Sequence, residues 1–194
     1  MPTKARGFTL IELLVTMVIA AILIALAAPS FKRTIQSNNM SGAVNTFMTD
    51  MRYARSEAIR RGGGVILCRT DSPEATTPAC DTTAGTTGKG WATGWIVMLD
   101  VDGDGGWSTG DHMLRLQSAL SGVDTILEGS PANATKFRFT ATGRLTDVAS
   151  AAKVKFGGAD FTTDLQRMVC VGAAGRARVA GDGTTSCGSG STIE

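Results

Sequence analysis

The segment that most constrains this chain is an apolar run near its start, residues 8–28, in which Glu12 is the one charged residue. These 21 residues would form a helix of about 32 Å, long enough to cross the hydrocarbon core of a bilayer. A carboxylate in such a segment is costly, so we expect Glu12 to have a partner and a function. A secretory signal peptide is the alternative, but its apolar core is shorter. The run therefore predicts a membrane-spanning helix over residues 8–29.

After Pro29, apolar residues recur at intervals of three and four, which is the spacing of an amphipathic helix. These residues are Met40, Val44, Phe47, Met48, Met51, Ala54 and Ala58. The pattern predicts one long helix, kinked near Pro29, whose second half, residues 30–61, packs its apolar stripe against a sheet. Arg60 and Arg61, followed by three glycines, predict the point at which this helix ends.

Residues 62–194 change to short β-type runs separated by Gly, Thr, Ser and Asp. Six runs predict strands, at 65–68, 95–99, 112–116, 136–140, 153–156 and 168–171. Alternating charged and aromatic residues at 136–139 indicate a sheet with one packed face and one wet face. The Thr/Gly-rich segment 71–90 predicts a long surface loop. The predicted fold class is α+β, a long N-terminal helix packed on one antiparallel β-domain.

Four cysteines, Cys68, Cys80, Cys170 and Cys187, fit an oxidising compartment and allow three disulfide connectivities. The sequence-local pairing, Cys68 with Cys80 and Cys170 with Cys187, would pin the Thr-rich loop and the polar C-terminal tail. A zinc site is the alternative, but the paired short spacings of such sites are missing. We therefore predict disulfides.

An acidic segment, DVDGDGGWSTGD at 100–111, has the oxygen spacing of a calcium loop. Asp100, Asp102, Asp104 and Asp111 fall at its positions one, three, five and twelve. Position twelve is Asp rather than the longer Glu, and the flanking segments predict strands rather than helices. We expect a polar turn, with calcium binding as the alternative, and no other cofactor.

The segment GFTLIEL at 7–13 resembles the processing site of type IV pilins and type II secretion pseudopilins. The resemblance implies that a prepilin peptidase removes residues 1–7 by cutting after Gly7, and that the new N-terminus, Phe8, is methylated. It also implies a single-pass inner-membrane anchor with a periplasmic domain. The implied partners are the major pilin and other minor pilins of a type IV pilus. Physically, Glu12 lies four residues from the new amine and could pair with it in its own chain or a neighbour.

A pilin helix, a strand-rich domain, an Asp/Gly segment and FTATGR at 139–144 are together similar to the GspH/FimT group of minor pilins and pseudopilins. Charge in the domain is unevenly divided. Residues 62–128 hold three Lys/Arg against nine Asp/Glu, whereas residues 129–181 hold eight against three. The basic region is expected to attract nucleic acid or other anionic surfaces.

The segment GRAR at 175–178 lies within that basic region. Its spacing puts Arg176 and Arg178 on one side of an extended backbone, and Gly175 allows a turn or a close approach to a phosphate. It resembles the G-R-x-R motif of FimT-type minor pilins, and the resemblance implies that both arginines contact DNA during natural transformation. Other basic residues could widen the patch: Lys136, Arg138, Arg144, Lys153, Lys155 and Arg167.

An enzyme is not expected, since the one histidine, His112, lacks a convincing nucleophile arrangement and predicts a strand surface residue. Two functions fit the chain. The first is a minor pilin that binds DNA without sequence specificity for uptake. The second is a structural minor pilin or type II secretion pseudopilin that primes or caps a filament without binding DNA.

Overall fold

The computed structural model describes residues 7–81, 88–130, 135–148, 151–183 and 186–187. Residues 1–6 of the predicted leader and residues 82–87 of the predicted Thr/Gly-rich loop lie outside the described residues. The chain forms one long helix followed by two four-stranded antiparallel sheets.

Helix α1 spans Leu10–Arg61, 52 residues. It begins after Thr9, whose side chain accepts a hydrogen bond from the Glu12 amide at 3.3 Å. It ends at Gly62, which has φ 85° and donates its amide to the Ala58 carbonyl oxygen. The single helix and its end at the glycines are confirmed, while the kink near Pro29 stays a prediction. The first part of α1 is apolar and long enough to cross a membrane, and its most apolar window is wholly exposed.

The first sheet has the order β3-β2-β1-β5. Its strands are β1 (Gly63–Arg69), β2 (Trp95–Leu99), β3 (His112–Gln117) and β5 (Lys136–Thr140). The second sheet has the order β4-β6-β7-β8. Its strands are β4 (Thr125–Ser130), β6 (Ala152–Gly157), β7 (Arg167–Val171) and β8 (Ala177–Gly181). All six predicted strands are confirmed, whereas β4, β8 and a short 3₁₀ helix at Trp91–Thr93 were not predicted.

The predicted apolar stripe of α1 packs against both sheets, and all seven of its residues are buried. Phe47 lies at the centre of an aromatic cluster. Its ring meets those of Trp91 at 5.4 Å, Trp95 at 5.6 Å and Phe156 at 5.6 Å between centroids, each nearly perpendicular. Because Trp95 belongs to the first sheet and Phe156 to the second, this one helical residue joins both.

Two buried charged groups also tie the elements together. Asp50 of α1 accepts a hydrogen bond from Trp95 Nε1 at 2.8 Å and pairs with Arg115 at 2.9 Å. Burial raises the pKa of the Asp50 carboxyl, while the Trp95 hydrogen bond and the Arg115 charge oppose this. Arg69 of the first sheet is fully buried and lies 3.3 Å from Glu128 of the second. The first pair therefore fixes α1 against the first sheet, and the second fixes the two sheets against each other.

Candidate nucleic-acid interface

A tight turn between β7 and β8 carries the glycine of the GRAR segment. The Gly175 amide donates to the Gly172 carbonyl oxygen at 2.8 Å, and the Gly172 amide donates to the Arg176 carbonyl oxygen at 2.9 Å. Gly175 has φ 72°, a left-handed conformation that glycine adopts without penalty. A Cβ here would overlap the carbonyl oxygen of Gly143 in the neighbouring turn. The sequence requires glycine because the backbone turns and touches a second turn at the same point.

The two arginines of the segment follow this turn. Arg176 is exposed and precedes β8, and Arg178 is half-buried within it. A spacing of two along an extended chain places them on one face. In the second sheet Arg178 lies opposite Cys170 of β7, and Cys170 lies opposite Lys153 of β6. Residues opposite one another share a face, so Lys153 lies two strand spacings, about 10 Å, from Arg178.

A groove of about 350 Å³ lies between α1 and the turn that leads into β8. It is lined by Met51, Arg52, Arg55, Gly175, Arg176, Ala177 and Arg178. The Arg55 Nε atom donates to the Gly143 carbonyl oxygen at 3.1 Å, which is the carbonyl that approaches Gly175. Four arginines, two from the helix and two from the hairpin, therefore line one concave surface.

The sequence did not identify Arg52 and Arg55 as members of the candidate site. They lie three residues apart on α1, each one position after a buried residue of the apolar stripe. This position at the border of the packed face was visible from helical periodicity. Periodicity could not predict their contact with the β7–β8 hairpin, which lies more than a hundred residues later in the chain.

One more of the predicted cations, Arg144, lies near this end of the second sheet. Arg144 is exposed and precedes Leu145, whose amide donates to the Ala173 carbonyl oxygen at 3.0 Å. The Arg144 turn therefore packs against the turn that carries the groove. Lys155 shares the outer face of β6 with Lys153 and lies one row further from the turn. Arg144 extends the positive surface around the groove, whereas Lys155, opposite Met168 of β7, lies toward the other end of the second sheet.

The remaining predicted cations lie elsewhere. Arg167 begins β7 at the end far from the turn, and its Nη1 donates to two carbonyl oxygens of the preceding loop at 2.6 and 2.8 Å. Lys136 and Arg138 belong to the first sheet. Lys136 Nζ donates to the Gly105 carbonyl oxygen at 3.0 Å, and Arg138 Nη1 donates to that of Gly103 at 3.3 Å. These three side chains hold loops of their own domain and are separate from the groove.

The cysteines form the sequence-local pairs, Cys68 with Cys80 and Cys170 with Cys187, with Cα atoms 5.5 and 5.7 Å apart. Cys68 lies in β1 and holds the loop that follows this strand. Cys170 lies in β7, between Lys153 and Arg178 in the row across the second sheet. The second disulfide therefore lies on the face that carries the arginines.

The acidic loop satisfies its own carboxylates. Asp100 accepts backbone amide hydrogen bonds at 2.8 and 3.0 Å, and Asp111 accepts two at 2.9 and 2.7 Å. Asp102 accepts from Ser108 Oγ at 2.8 Å, a bond that lowers the pKa of its carboxyl. One oxygen from each of Asp100, Asp102 and Asp104 lies within 4.8 Å of the others. The geometry is that of a polar turn before β3, and calcium binding stays the untested alternative.

At the N-terminus, Phe8 is 83% exposed and precedes α1. Thr9 is extended because it caps the helix, so in the uncut chain the four-residue helical spacing between Phe8 and Glu12 is not formed. Glu12 lies exposed in the first turn of α1, where the helix dipole favours an acidic side chain. Gly7 is also exposed, as a site of cleavage would need to be.

The family model described as type II transport protein GspH matches residues 43–175, well over half of the chain. The chain belongs to the GspH family. A second model, the prokaryotic N-terminal methylation motif, matches residues 2–28. No curated protein is significantly similar in sequence. The apolar helix and this motif together indicate membrane anchoring and incorporation into a pilus.

Solved structures agree with this assignment at the level of fold. The chain is similar to the type IV minor pilin FimU of Pseudomonas aeruginosa, seen in two crystal forms. One form matches with a TM-score of 0.54 and 21% identity, covering 73% of this chain and 88% of that one. The other has a TM-score of 0.51 and 21% identity, covering 72% and 90%. This GspH-family member therefore has the α+β pilin fold expected from its sequence.

The range of the GspH match bears on the candidate interface. It covers Arg52 and Arg55 and ends at Gly175, immediately before Arg176. Family membership thus covers the helical wall of the groove and the glycine of its turn. Arg176 and Arg178 are additional to the matched range, so their role rests on this chain's own geometry.

Proposed function

We propose that this GspH-family protein is a minor type IV pilin that binds DNA without sequence specificity and supports DNA uptake in natural transformation. The observation that carries the proposal is the groove whose lining includes Arg52 and Arg55 of α1 and Arg176 and Arg178 of the hairpin. Guanidinium groups bind phosphates through paired hydrogen bonds as well as charge. Four of them around one concave surface suit a phosphate backbone better than scattered surface arginines do.

The N-terminal features support the part of the proposal that makes this protein a filament subunit. Prepilin peptidase cuts after Gly7, and the new Phe8 amine is methylated. The apolar half of α1 holds the subunit in the inner membrane, with the β-domain in the periplasm, until it joins a pilus. Glu12 pairs with the cationic N-terminus once cleavage has freed it, and so favours assembly with the major pilin and other minor pilins.

The test measures DNA affinity across a salt series, because phosphate contacts release counterions. Four contacts give a slope of log affinity against log salt of roughly −3.6, so affinity falls about 100-fold between about 50 and 200 mM salt. The oxidised full chain in non-ionic detergent would be titrated into a short fluorescent duplex. Arg176→Gln/Arg178→Gln should weaken binding and reduce the slope by about two.

The matched control is Arg60→Gln/Arg61→Gln, which removes the same charge from the end of α1. These arginines pair with Glu57 at 2.6 and 2.7 Å, so they already have a carboxylate partner. The control should keep most of the slope. Wild-type chain that does not bind DNA, or equal losses in both variants, would refute the proposed role.

A structural subunit without a DNA role is the second candidate, favoured by the family model's own description as a type II transport protein. In that case the fold and its surface residues, the groove arginines included, serve assembly of the filament or secretion pseudopilus. Arg176→Gln/Arg178→Gln separates the candidates in cells. Lost DNA uptake with normal piliation supports the DNA-binding pilin, whereas equal loss of piliation supports the structural subunit.

A further inference from the structure

We propose that the Cys170–Cys187 disulfide is a positioning device for the DNA-binding arginines, holding β8 in the arrangement that forms the groove. This inference rests on the proposed function of the groove. Cys170 lies directly between Lys153 and Arg178 in the row across the second sheet. The covalent bond is therefore made at the level of Arg178 itself.

Strand β8 needs such support because of its place in the sheet. It is the outermost strand of the order β4-β6-β7-β8, only five residues long, and none of its residues is fully buried. Short edge strands with little buried surface open at little cost in free energy. An opened β8 would carry Arg178 away from Arg52 and Arg55, so the groove would lose one of its walls.

Two tethers confine β8, one at each end. At its start, the Gly175 turn joins it to β7 and is held by hydrogen bonds of 2.8 and 2.9 Å. At its end, Cys187 follows the last residue of β8 by six positions and is bonded back to β7. The disulfide closes a segment that contains the whole GRAR sequence. The second tether makes the edge strand part of a closed loop.

The other disulfide provides a matched control within the same chain. Cys68 lies in β1, an inner strand of the first sheet with partners on both sides, and is fully buried. Its partner Cys80 holds the loop after β1 and not the hairpin. Loss of either bond removes one crosslink from the unfolded chain, which lowers stability. Of the two losses, only that of the Cys170–Cys187 bond should also disorder the hairpin wall of the groove.

The experiment compares Cys170→Ser/Cys187→Ser with Cys68→Ser/Cys80→Ser in the full chain in non-ionic detergent, using the same fluorescent duplex and salt series. If the freed strand is ordered in about one molecule in ten, apparent affinity falls about tenfold. The salt slope should not change, because the bound state still contacts the same phosphates. Amide hydrogen exchange should accelerate in β8 and not in β6. The control variant should bind DNA as the wild type does.

If Cys170→Ser/Cys187→Ser does not fold, the single variant Cys187→Ser takes its place, because it keeps the Cys170 thiol in its buried position. Unchanged affinity in a folded variant overturns the proposal, and so does an equal loss in both double variants. A salt slope reduced as much as in Arg176→Gln/Arg178→Gln also overturns it. The disulfide would then change the number of phosphate contacts in the bound state rather than the fraction of molecules in which β8 is ordered. Absence of DNA binding by the wild type would instead refute the proposed function itself.

Discussion

Replacing Gly175 with alanine tests whether the turn that precedes the arginines requires a residue without a Cβ atom. Gly175 has φ 72°, and placing an L-residue there costs about 1–2 kcal/mol. The new Cβ would overlap the Gly143 carbonyl oxygen, so the two turns must separate. Separation breaks the hydrogen bond from the Leu145 amide to the Ala173 carbonyl oxygen, 3.0 Å, worth about 1 kcal/mol. The expected loss of unfolding free energy is therefore about 2–3 kcal/mol.

The assay is thermal unfolding of the full chain in non-ionic detergent, followed by tryptophan fluorescence. Trp91 and Trp95 are both fully buried in the core, so their emission reports loss of packing. A loss of about 2–3 kcal/mol lowers the unfolding midpoint by roughly 4–12 °C in a chain of this size. DNA affinity of the folded variant should also fall, because Arg176 follows the displaced residue directly.

Gly62→Ala is the matched control for this prediction. Gly62 has a similar φ of 85°, but nothing lies within 4 Å of the position that its Cβ would occupy. It bears the conformational cost alone, about 1–2 kcal/mol. The reasoning about backbone contact is refuted if Gly175→Ala destabilises the chain no more than Gly62→Ala does.

Two further perturbations probe the core and the end of the helix. Phe47→Ala removes the centre of the aromatic cluster and should cost about 3–5 kcal/mol by urea unfolding; a loss near 1 kcal/mol would mean that the cluster repacks. Hydrogen bonds from Arg60 and Arg61 lower the pKa of Glu57 to about 2, against an ordinary 4.5. The stability from this group is present above about pH 4.5 and is lost as pH falls through about 2. Acid unfolding of Glu57→Gln should therefore show a flatter pH dependence in this range, and an unchanged curve contradicts the pairing.

Most of the fold follows from local signals in the sequence. Met40, Phe47 and Met51 recur at helical spacing, and Gly62 follows two arginines, so α1 and its end were predictable. Phe137 and Phe139 alternate with charged residues, so β5 was predictable as a strand with one packed face. Each of these signals lies within a few residues of the element that it specifies.

The unpredicted parts depend on distant contacts. Strand β8 has Val179 as its single β-branched residue and ends in a glycine, so its own sequence does not predict a strand. It forms a strand because β7 lies beside it. Strand β4 contains a glycine and ends near residues that favour turns. The helical wall of the groove was missed because Arg52 and Arg55 meet the hairpin only after the chain has formed both sheets.

The continuity of α1 has a mechanical consequence. Glu12, in the segment that anchors the subunit, and Arg52, in the wall of the groove, belong to one helix and lie 40 residues apart. That is about 60 Å of one helix, and between these two residues Met40, Phe47 and Met51 pack in the core of the β-domain. Tension on a molecule bound at Arg52 would therefore be shared with both sheets through these contacts before it reached the anchoring segment. The helix and the β-domain would bear the pull as one body.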